Sequence, residues 1–251
     1  MKLSVVILSK NEEAHIRKTL DSVAFAEEIL LIDDNSSDQT RINAKRQKVA
    51  IYKKKLDDFA TQRNFGFQKA KGDWVLFIDA DEVASDVLQE DIKRVVEDRE
   101  SKNVAYYIKR REHWRGRELK YGEVRKVREK GLLRLVRRNS GSWKGLVHES
   151  FNPTGPVGQL SGFMDHFPHP TLSEFLSSIN FYSTLRAKEL LKQGRSAGTF
   201  SIVFFPLGKF FTTFVLRKGF KDGIQGFVYS FLMSFHSFLV RTKLYQYKKL
   251  T

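Results

Sequence analysis

The sequence predicts an α/β fold in which a mostly parallel central sheet occupies the first half of the chain. Short apolar runs of strand type alternate with segments of helical spacing over the first hundred residues, an order typical of βαβ units. Polar clusters follow several of the apolar runs. The chain has 251 residues and 41% hydrophobic residues, which is enough to bury a sizeable core without disulfide bonds.

The alternation can be followed element by element. Leu3–Leu8 reads as a buried strand rather than a secretion signal, because this apolar run spans only six residues before a polar stretch. Ile16, Leu20 and Val23 recur at helical spacing and predict a helix from Glu12 to Val23. The same reading predicts further strands at 29–32, 49–52 and 74–78, and further helices at 37–48, 59–70 and 86–97.

The second half of the chain has a different pattern. Basic loops separate three short predicted strands, and a compact polar and aromatic segment, 143–150, lies between the second and the third. These strands are predicted at 105–108, 132–136 and 158–162, and a helix is predicted at 172–192. We expect one domain over residues 1–195 and a helical tail over 196–251.

The charge distribution predicts an anionic partner. The net charge is +15, and two blocks carry it: residues 102–144 hold 15 basic and 4 acidic residues, and 186–251 hold 12 and 2. A phosphorylated substrate, a membrane surface and a nucleic acid would each suit such blocks, although the first block also suits ordinary solvated surface. The absence of Cys excludes a disulfide scaffold, a Cys-ligated metal and thiol catalysis.

The tail contains two apolar stretches, 200–216 and 224–240, with basic residues beside them. At 1.5 Å per residue each is about 25 Å long, which is shorter than the roughly 30 Å of a bilayer's hydrocarbon core. We therefore expect amphipathic helices that lie on a membrane surface, with a pair of core helices as the alternative. The apolar stripe of the second stretch comprises Ile224, Phe227, Val228, Phe231, Leu232, Phe235, Phe238 and Leu239.

Polar clusters follow three of the predicted parallel strands, at residues 9–12, 33–34 and 79–81. The carboxyl ends of parallel strands meet at one edge of a sheet, so these clusters should share a cleft. Asp79 and Asp81 are spaced to hold a divalent cation such as Mg²⁺ or Mn²⁺ together with a diphosphate. Helix capping is the alternative explanation for acidic residues at such turns.

Four segments in this order closely resemble the family 2 glycosyltransferases: 9–12 (SKNE), 32–38 (IDDNSSD), 62–66 (QRNFG) and 72–82 (GDWVLFIDADE). The resemblance covers about the first hundred residues and implies a Rossmann-like GT-A fold that binds nucleotide-sugar donors. A looser likeness, in Trp143-x-Gly145-x-x-His148-Glu149 and in 219–223 (GFKDG), points to a branch with bacterial lipopolysaccharide-core β-glucosyltransferases.

The resemblance also implies roles for individual residues. Residues 1–100 would form the nucleotide-sugar half and 101–195 the acceptor and catalytic half. Asp33, Asp34 and the backbone near Ser9 and Asn11 would contact the uridine, and Asp79 would contact the ribose. Arg63 and Asn64 would line the donor pocket. Glu12 would also lie in this pocket, without a specified role. Asp81 would hold the metal, and His148 and His166 could add metal or phosphate contacts, although either could be an ordinary neutral histidine.

Glu149 is the candidate general base. An inverting transfer needs a carboxylate that takes the proton of the acceptor hydroxyl, on the face opposite the leaving diphosphate. Many family members place this base in a Glu-Asp pair, which this sequence lacks. An ordinary loop carboxylate is therefore the alternative.

We thus expect a metal-dependent, inverting hexosyltransferase, peripheral on the cytoplasmic face of the membrane. It would move a glucose-like sugar from a UDP-linked donor to a lipopolysaccharide-core or other lipid-linked acceptor, with polyprenyl phosphate as the alternative acceptor. A non-catalytic basic protein that binds membranes or nucleic acids is the alternative from another class, but no nucleic-acid-binding motif supports a nucleic acid partner. A nucleotidyltransferase would also use metal-binding carboxylates and would release pyrophosphate.

Overall fold

A computed structural model describes residues 1–45, 47–145, 149–168 and 171–250 of the protein. The chain divides into two compact units, Met1–Arg110 with Glu129–His166 and Arg111–Arg128 with Phe167–Thr251. In chain order the elements are β1 Leu3–Ser9, α1 Ile16–Ser22, β2 Glu28–Asp33, α2 Thr40–Lys45, β3 Ala50–Lys53, α3 Phe59–Lys69, β4 Trp74–Asp79, β5 Glu82–Ala84, α4 Asp86–Glu97, β6 Ala105–Trp114, β7 Arg117–Leu119, α5 Arg125–Lys130, β8 Leu132–Arg137, β9 Gly141–Lys144, β10 Ser150–Pro153, β11 Val157–His166, α6 Leu172–Lys192, α7 Thr199–Phe210 and α8 Gly223–Leu250, with a π-helical segment Phe211–Leu216 and a 3₁₀ turn Gly219–Asp222 between α7 and α8.

The central sheet of the first unit confirms the predicted α/β fold. Its strand order is β3-β2-β1-β4-β8-β6-β11-β5, and the first four strands are parallel. Beyond β4 the sheet continues with antiparallel pairings. In the parallel half, Ser9 is paired with Asp33 and Leu8 with Asp79, so the register brings the carboxyl ends of β1, β2 and β4 side by side.

Apolar side chains cover both faces of this sheet. Every residue of β1 is buried, and its apolar side chains pack into one cluster on each face of the sheet. Val5 and Ile7 belong to the cluster that α1 and α4 cover, and Val6 and Leu8 belong to the one that α3 covers. A strand with both faces buried reads as a near-continuous apolar run, and this pattern made β1 and β4 predictable.

The second unit is mainly helical. Helix α6 begins with a capping box, in which the Thr171 side chain accepts a hydrogen bond from the Glu174 backbone and the Glu174 side chain accepts one from the Thr171 backbone. Its buried Phe175 packs with Trp114 and with Leu232 of α8. The predicted stripe of α8 is therefore divided: Leu232 is in this core, whereas five other members are exposed, namely Ile224, Phe227, Phe231, Phe235 and Phe238.

The turn before α8 explains the sequence GFKDG at 219–223. The buried Asp222 carboxylate accepts hydrogen bonds from the backbone N–H groups of Lys120 and Tyr121, at 3.0 and 2.9 Å. A Cβ atom on Gly226 would lie 2.0 Å from the carbonyl oxygen of Gly219. The backbone at these two positions can therefore approach so closely only because residue 226 is a glycine. In this structure the motif therefore has a structural role.

Two helical segments of the second unit, Thr199–Leu216 and Gly219–Lys249, are long and apolar enough to cross a membrane by length and composition alone. Helix α8 is longer than the apolar stretch 224–240 from which it was predicted. Packing places α6 in the same unit as α7 and α8. The functional division at residue 195 stays a prediction.

Candidate active site

The ends of β1 and β2 form the first part of the candidate site in the first unit. Asp33 is fully buried and accepts hydrogen bonds from the backbone N–H of Ser36, at 3.0 Å, and from the hydroxyl of Ser9, at 3.4 Å. The next carboxylate, Asp34, accepts from Lys10 Nζ at 2.8 Å and from the backbone N–H of Leu56 at 2.9 Å. The sheet register thus brings Ser9 and Asp33 together as predicted, and it places Asp34 beside them.

A turn after β1 fixes the loop that carries Asn11. This residue has a φ of 55°, in the left-handed region where asparagine is tolerated better than most residues. Its backbone N–H donates to Ser36 Oγ at 3.0 Å, and its side-chain oxygen accepts from the backbone N–H of Ser37 at 2.8 Å. The loops after β1 and β2 therefore hold each other in place.

A second cluster centres on Arg63 of α3, whose guanidinium is buried. Its Nη2 donates to Asp79 Oδ1 at 2.8 Å, and its Nε donates to Glu149 Oε1 at 2.9 Å. The guanidinium also lies over the ring of Trp143, 5.0 Å from its centroid. Arg63 thus connects two carboxylates separated by 70 positions in the sequence, the proposed ribose ligand and the proposed base.

Arg134 of β8 completes the charge balance around Asp79. Its Nη2 donates to Asp79 Oδ2 at 2.9 Å and lies 3.7 Å from Glu82 Oε1. Glu82 is fully buried, forms an ion pair with Arg110 at 3.2 Å and accepts from the backbone N–H of Asp79 at 2.9 Å. The carboxylates of this cluster are thus each paired with a guanidinium group. Buried charges require such pairing.

The electrostatics keep Asp79 ionised. Desolvation alone would raise the pKa of Asp79, but the positive charges of Arg134 and Arg63 outweigh it and hold the pKa well below its usual range. The Nη1 atoms of Arg63 and Arg134 are buried without a hydrogen-bond partner in the part of the chain that is described. The two guanidinium groups thus retain donors that these carboxylates do not use.

The third cluster contains Asp81 and His166, which lie at the ends of β4 and β11. His166 Nε2 is 3.1 Å from Asp81 Oδ2. Desolvation would raise the pKa of Asp81, but the neighbouring His166 outweighs this effect and lowers it. Burial raises the pKa of Glu12 in spite of the hydrogen bond from His15, and the negative charge of Asp81 raises it further.

A divalent cation would find two protein ligands here, the Asp81 carboxylate and the His166 imidazole. Over residues 1–45, 47–145, 149–168 and 171–250, no group of three or more acidic or histidine side chains could hold a metal. Mg²⁺ and related ions are commonly bound through one or two protein ligands plus substrate phosphates, so the pair fits such a shared site. His148, the other predicted ligand, lies outside the described residues.

Asn64 has a different environment from Arg63, its neighbour in the sequence. Its side-chain amide donates to the carbonyl oxygen of Trp143 and accepts from the backbone N–H of Trp143, both at 2.9 Å. These two bonds attach α3 to β9, which pairs with β10 just beyond Glu149. In this structure Asn64 therefore holds Trp143 of β9.

The sequence matches a known family over more than half of its length. The family model described as glycosyl transferase family 2 matches residues 4–150. This chain belongs to that family. The motifs that predicted it, from Ser9 to Glu82, all lie within the matched residues.

Curated relatives extend the similarity over nearly the whole transferase. An uncharacterized glycosyltransferase of Rickettsia typhi is 30% identical over 97% of this chain and 86% of its own length. The lipopolysaccharide core biosynthesis glycosyltransferase LpsC of Rhizobium meliloti is 28% identical over 98% of this chain and 93% of its own length.

Solved structures support the GT-A fold of the transferase. TarS residues 1–349 of Staphylococcus aureus superimpose with a TM-score of 0.50 and 16% identity, over 100% of this chain and 92% of that one. Glucosyl-3-phosphoglycerate synthase of Mycobacterium tuberculosis gives a TM-score of 0.50 and 16% identity, over 75% of this chain and 77% of that one. At this identity the likeness concerns the fold alone.

Sequence reasoning missed Arg134 and Glu82 of this transferase site. A signal for Arg134 exists, because it is the only charged residue between Leu132 and Val136 in a strand that is otherwise apolar. Such a charge in a buried strand needs a partner. Glu82 lies at the end of the Asp79–Glu82 motif, but nothing in its spacing indicates that it accepts from the backbone of Asp79.

Proposed function

We propose that this transferase moves a glucose-like hexose from a UDP-linked donor to a lipopolysaccharide-core or other lipid-linked acceptor, with inversion at the sugar and in a single displacement. The observation that carries the proposal is the Arg63 bridge between Asp79 and Glu149, because it joins a donor-side carboxylate to a candidate base. The alternative acceptor is a polyprenyl phosphate.

We propose that residues at the ends of β1, β2 and β4 bind the nucleotide-sugar donor. Carboxylates at strand ends can accept hydrogen bonds from a base N–H or a ribose hydroxyl, which are the roles we propose for Asp34 and Asp79. Asp33 is enclosed by Ser9, Ser36 and, at 3.6 Å, Arg41. We infer that it shapes the uridine end of the pocket by holding these side chains in place, because its own carboxylate is fully buried.

We propose that Asp81 and His166 hold a divalent cation, Mg²⁺ or Mn²⁺, with Glu12 nearby. When bound, such an ion offsets the negative charge that develops on the leaving diphosphate. The M. tuberculosis synthase was crystallised in complex with Mn²⁺ and uridine diphosphate, which agrees with this assignment. In the structure His166 Nε2 lies 3.1 Å from Asp81 Oδ2, and a bound cation would take the place of this direct contact.

Glu149 would act as the base. Arg63 and the β9–β10 pairing hold it near Asp79, and its carboxylate is largely shielded from solvent. A general base must lie within hydrogen-bond reach of the proton that it takes, so a carboxylate with one fixed orientation is favoured. We propose that Glu149 takes the proton of the acceptor hydroxyl as this oxygen attacks the sugar.

For the acceptor, the support is the likeness to LpsC over nearly the whole chain. We also propose that the transferase is peripheral on the cytoplasmic side of a membrane through α7 and α8. Exposed aromatic and aliphatic side chains on these helices, with exposed Arg217, Lys218 and Lys221 beside them, are typical of an interfacial anchor.

A panel of nucleotide sugars tests the proposal. The full chain is incubated with UDP-, GDP- and CDP-linked sugars, with Mn²⁺ or with a chelator, and the release of nucleoside diphosphate is measured. We expect release from a UDP-hexose only with the metal. Release of pyrophosphate would indicate a nucleotidyltransferase, and no release from any donor, with or without an added lipid acceptor fraction, would contradict the proposal.

A further inference from the structure

A cavity of about 530 Å³ lies within the second unit, and none of the residues assigned to sugar transfer lines it. Helix α7, the π-helical segment and α8 line it, and it is open to solvent. Its lining combines aromatic and cationic side chains with small residues: Phe200, Phe204, Phe205, Gly208, Lys209, Thr212, Thr213, Arg217, Ser237 and Arg241.

The cations of this cavity outnumber the anions. Lys209 and Arg217 share one carboxylate, that of Glu123, at 2.7 and 3.6 Å. Arg241 has no acidic partner among the described residues, and its guanidinium lies 4.7 Å from the centroid of the Phe205 ring. Burial and then the nearby charge of Arg186 lower the pKa of Arg241. An anionic group would relieve this excess of positive charge.

Aromatic side chains lie beside these cations and are open to solvent. Phe200, Phe204 and Phe205 are 69%, 53% and 50% exposed, and the first two rings lie 4.5 Å apart. Exposed aromatic side chains of this size beside a cation suit a ligand that has both an anionic group and hydrocarbon. A free phosphate ion would use only the cationic wall.

The backbone of α7 is shaped to leave this space. Pro206 and Gly208 lie inside α7, and the chain continues directly into the wider π-helical segment. A Cβ atom at Gly208 would meet no other atom within 4 Å, so the cavity begins directly at its backbone. π-helical segments are frequent at functional sites.

We propose that this cavity binds the phosphate headgroup of an anionic membrane phospholipid, with Arg241 at the phosphate and the three phenylalanines against the first part of its acyl chains. The proposal deepens the membrane association proposed above, on which it rests, by assigning it one stoichiometric lipid site. It predicts selection by headgroup charge, which a purely apolar anchor does not provide.

The test measures lipid binding to the full chain by isothermal titration calorimetry. The lipid is dihexanoyl phosphatidylglycerol, kept below its critical micelle concentration. We expect saturable binding of one lipid per chain. Arg241→Gln should weaken it by at least about tenfold, because it removes a charged hydrogen-bond donor. Gly208→Leu should abolish it by filling the cavity, and it should not harm α7, because leucine favours a helix more than glycine.

Control measurements distinguish binding at this site from non-specific electrostatic attraction between the basic protein and the anionic lipid. Lys192→Gln removes an exposed charge at the end of α6, outside the cavity, and should change the affinity less than about twofold. Equal affinity for dihexanoyl phosphatidylcholine, equal affinity for inorganic phosphate, or unchanged binding by Arg241→Gln would each overturn the proposal.

The same variants are also tested for Mn²⁺-dependent stabilisation by UDP. We expect Arg241→Gln and Gly208→Leu to keep it, because neither residue belongs to the donor site. Absence of lipid binding with a normal UDP effect overturns this inference alone. Absence of the UDP effect in the wild-type chain contradicts the proposed function. The lipid-binding measurements would then still support or overturn the proposed lipid site.

Discussion

Glu149 Oε1 accepts a hydrogen bond from Arg63 Nε at 2.9 Å, and the same guanidinium donates to Asp79 at 2.8 Å. The candidate base and the donor-side carboxylate are therefore positioned by one rigid planar group. The ring of Trp143 lies against this group, with 5.0 Å from its centroid to Arg63 Cζ, and helps to hold it in place. Donor binding and base positioning should consequently be coupled through Arg63.

Arg63→Lys tests this coupling. Lysine keeps the positive charge but cannot donate to two carboxylates in the fixed geometry of a guanidinium. We expect kcat to fall about 100-fold, because Glu149 loses its orientation, with a smaller change in donor KM. Steady-state kinetics measure both. Arg94→Lys, at an exposed site on α4, is the matched control. An unchanged kcat for Arg63→Lys would show that the bridge has no role in turnover.

Glu149→Gln tests the base itself. Glutamine preserves the size of the side chain and an oxygen that accepts from Arg63, but it cannot take a proton at neutral pH. We expect turnover to fall by about 10²–10⁴-fold while UDP binding persists. Exposed Glu97→Gln on α4 should behave like the wild type. Near-normal turnover by Glu149→Gln would assign the base to another residue.

Asp91 of α4 gives a prediction about stability. Its carboxylate accepts from the backbone N–H groups of Ser161 and Gly162, at 2.9 and 3.0 Å, and from the Ser161 hydroxyl at 2.6 Å. Desolvation would raise the pKa of Asp91, but these hydrogen bonds outweigh it and lower the pKa. Its stabilisation is therefore complete above the unfolded-state pKa of about 3.9 and disappears as the pH falls through the lower folded-state value.

Asp91→Asn should accordingly lower the free energy of unfolding by about 1–2 kcal/mol at pH 7 and by less at pH 3. Urea unfolding at the two pH values measures the difference. Glu97→Gln, an exposed substitution on the same helix, should have little effect at either pH. Equal destabilisation by Asp91→Asn at pH 7 and pH 3 would contradict this explanation.

Gly226→Ala tests the turn that Asp222 organises. The added Cβ would lie 2.0 Å from the Gly219 carbonyl oxygen and 2.9 Å from Asp222 Cβ, so the backbone must shift. We expect a loss of about 1–3 kcal/mol in the free energy of unfolding. Gly208→Ala, where the new Cβ meets open space, should be neutral or stabilising. Thermal unfolding of both variants checks the contrast, and equal melting temperatures would contradict it.

Strands β1 and β4 could be predicted because they are buried on both faces and therefore appear as nearly unbroken apolar runs, whereas no residue of the edge strand β3 is buried. The same logic brought Ser9 and Asp33 to one edge of the sheet. The β9–β10 hairpin was missed, since its strands are short and only Trp143 and Phe151 among its residues are buried apolar residues. The Arg63 bridge was also beyond sequence reasoning, because it depends on contacts between positions 63, 79 and 149.

The most direct test of the account is the thermal unfolding of the full chain with UDP, with Mn²⁺ and with both together. We expect a clear rise in the melting temperature only when both are present, because UDP would complete the cation site that Asp81 and His166 begin. Asp81→Ala should lose this rise, and Asp86→Ala, at the start of α4, should keep it. No rise with both ligands, or the same rise in Asp81→Ala, would contradict the proposed donor site.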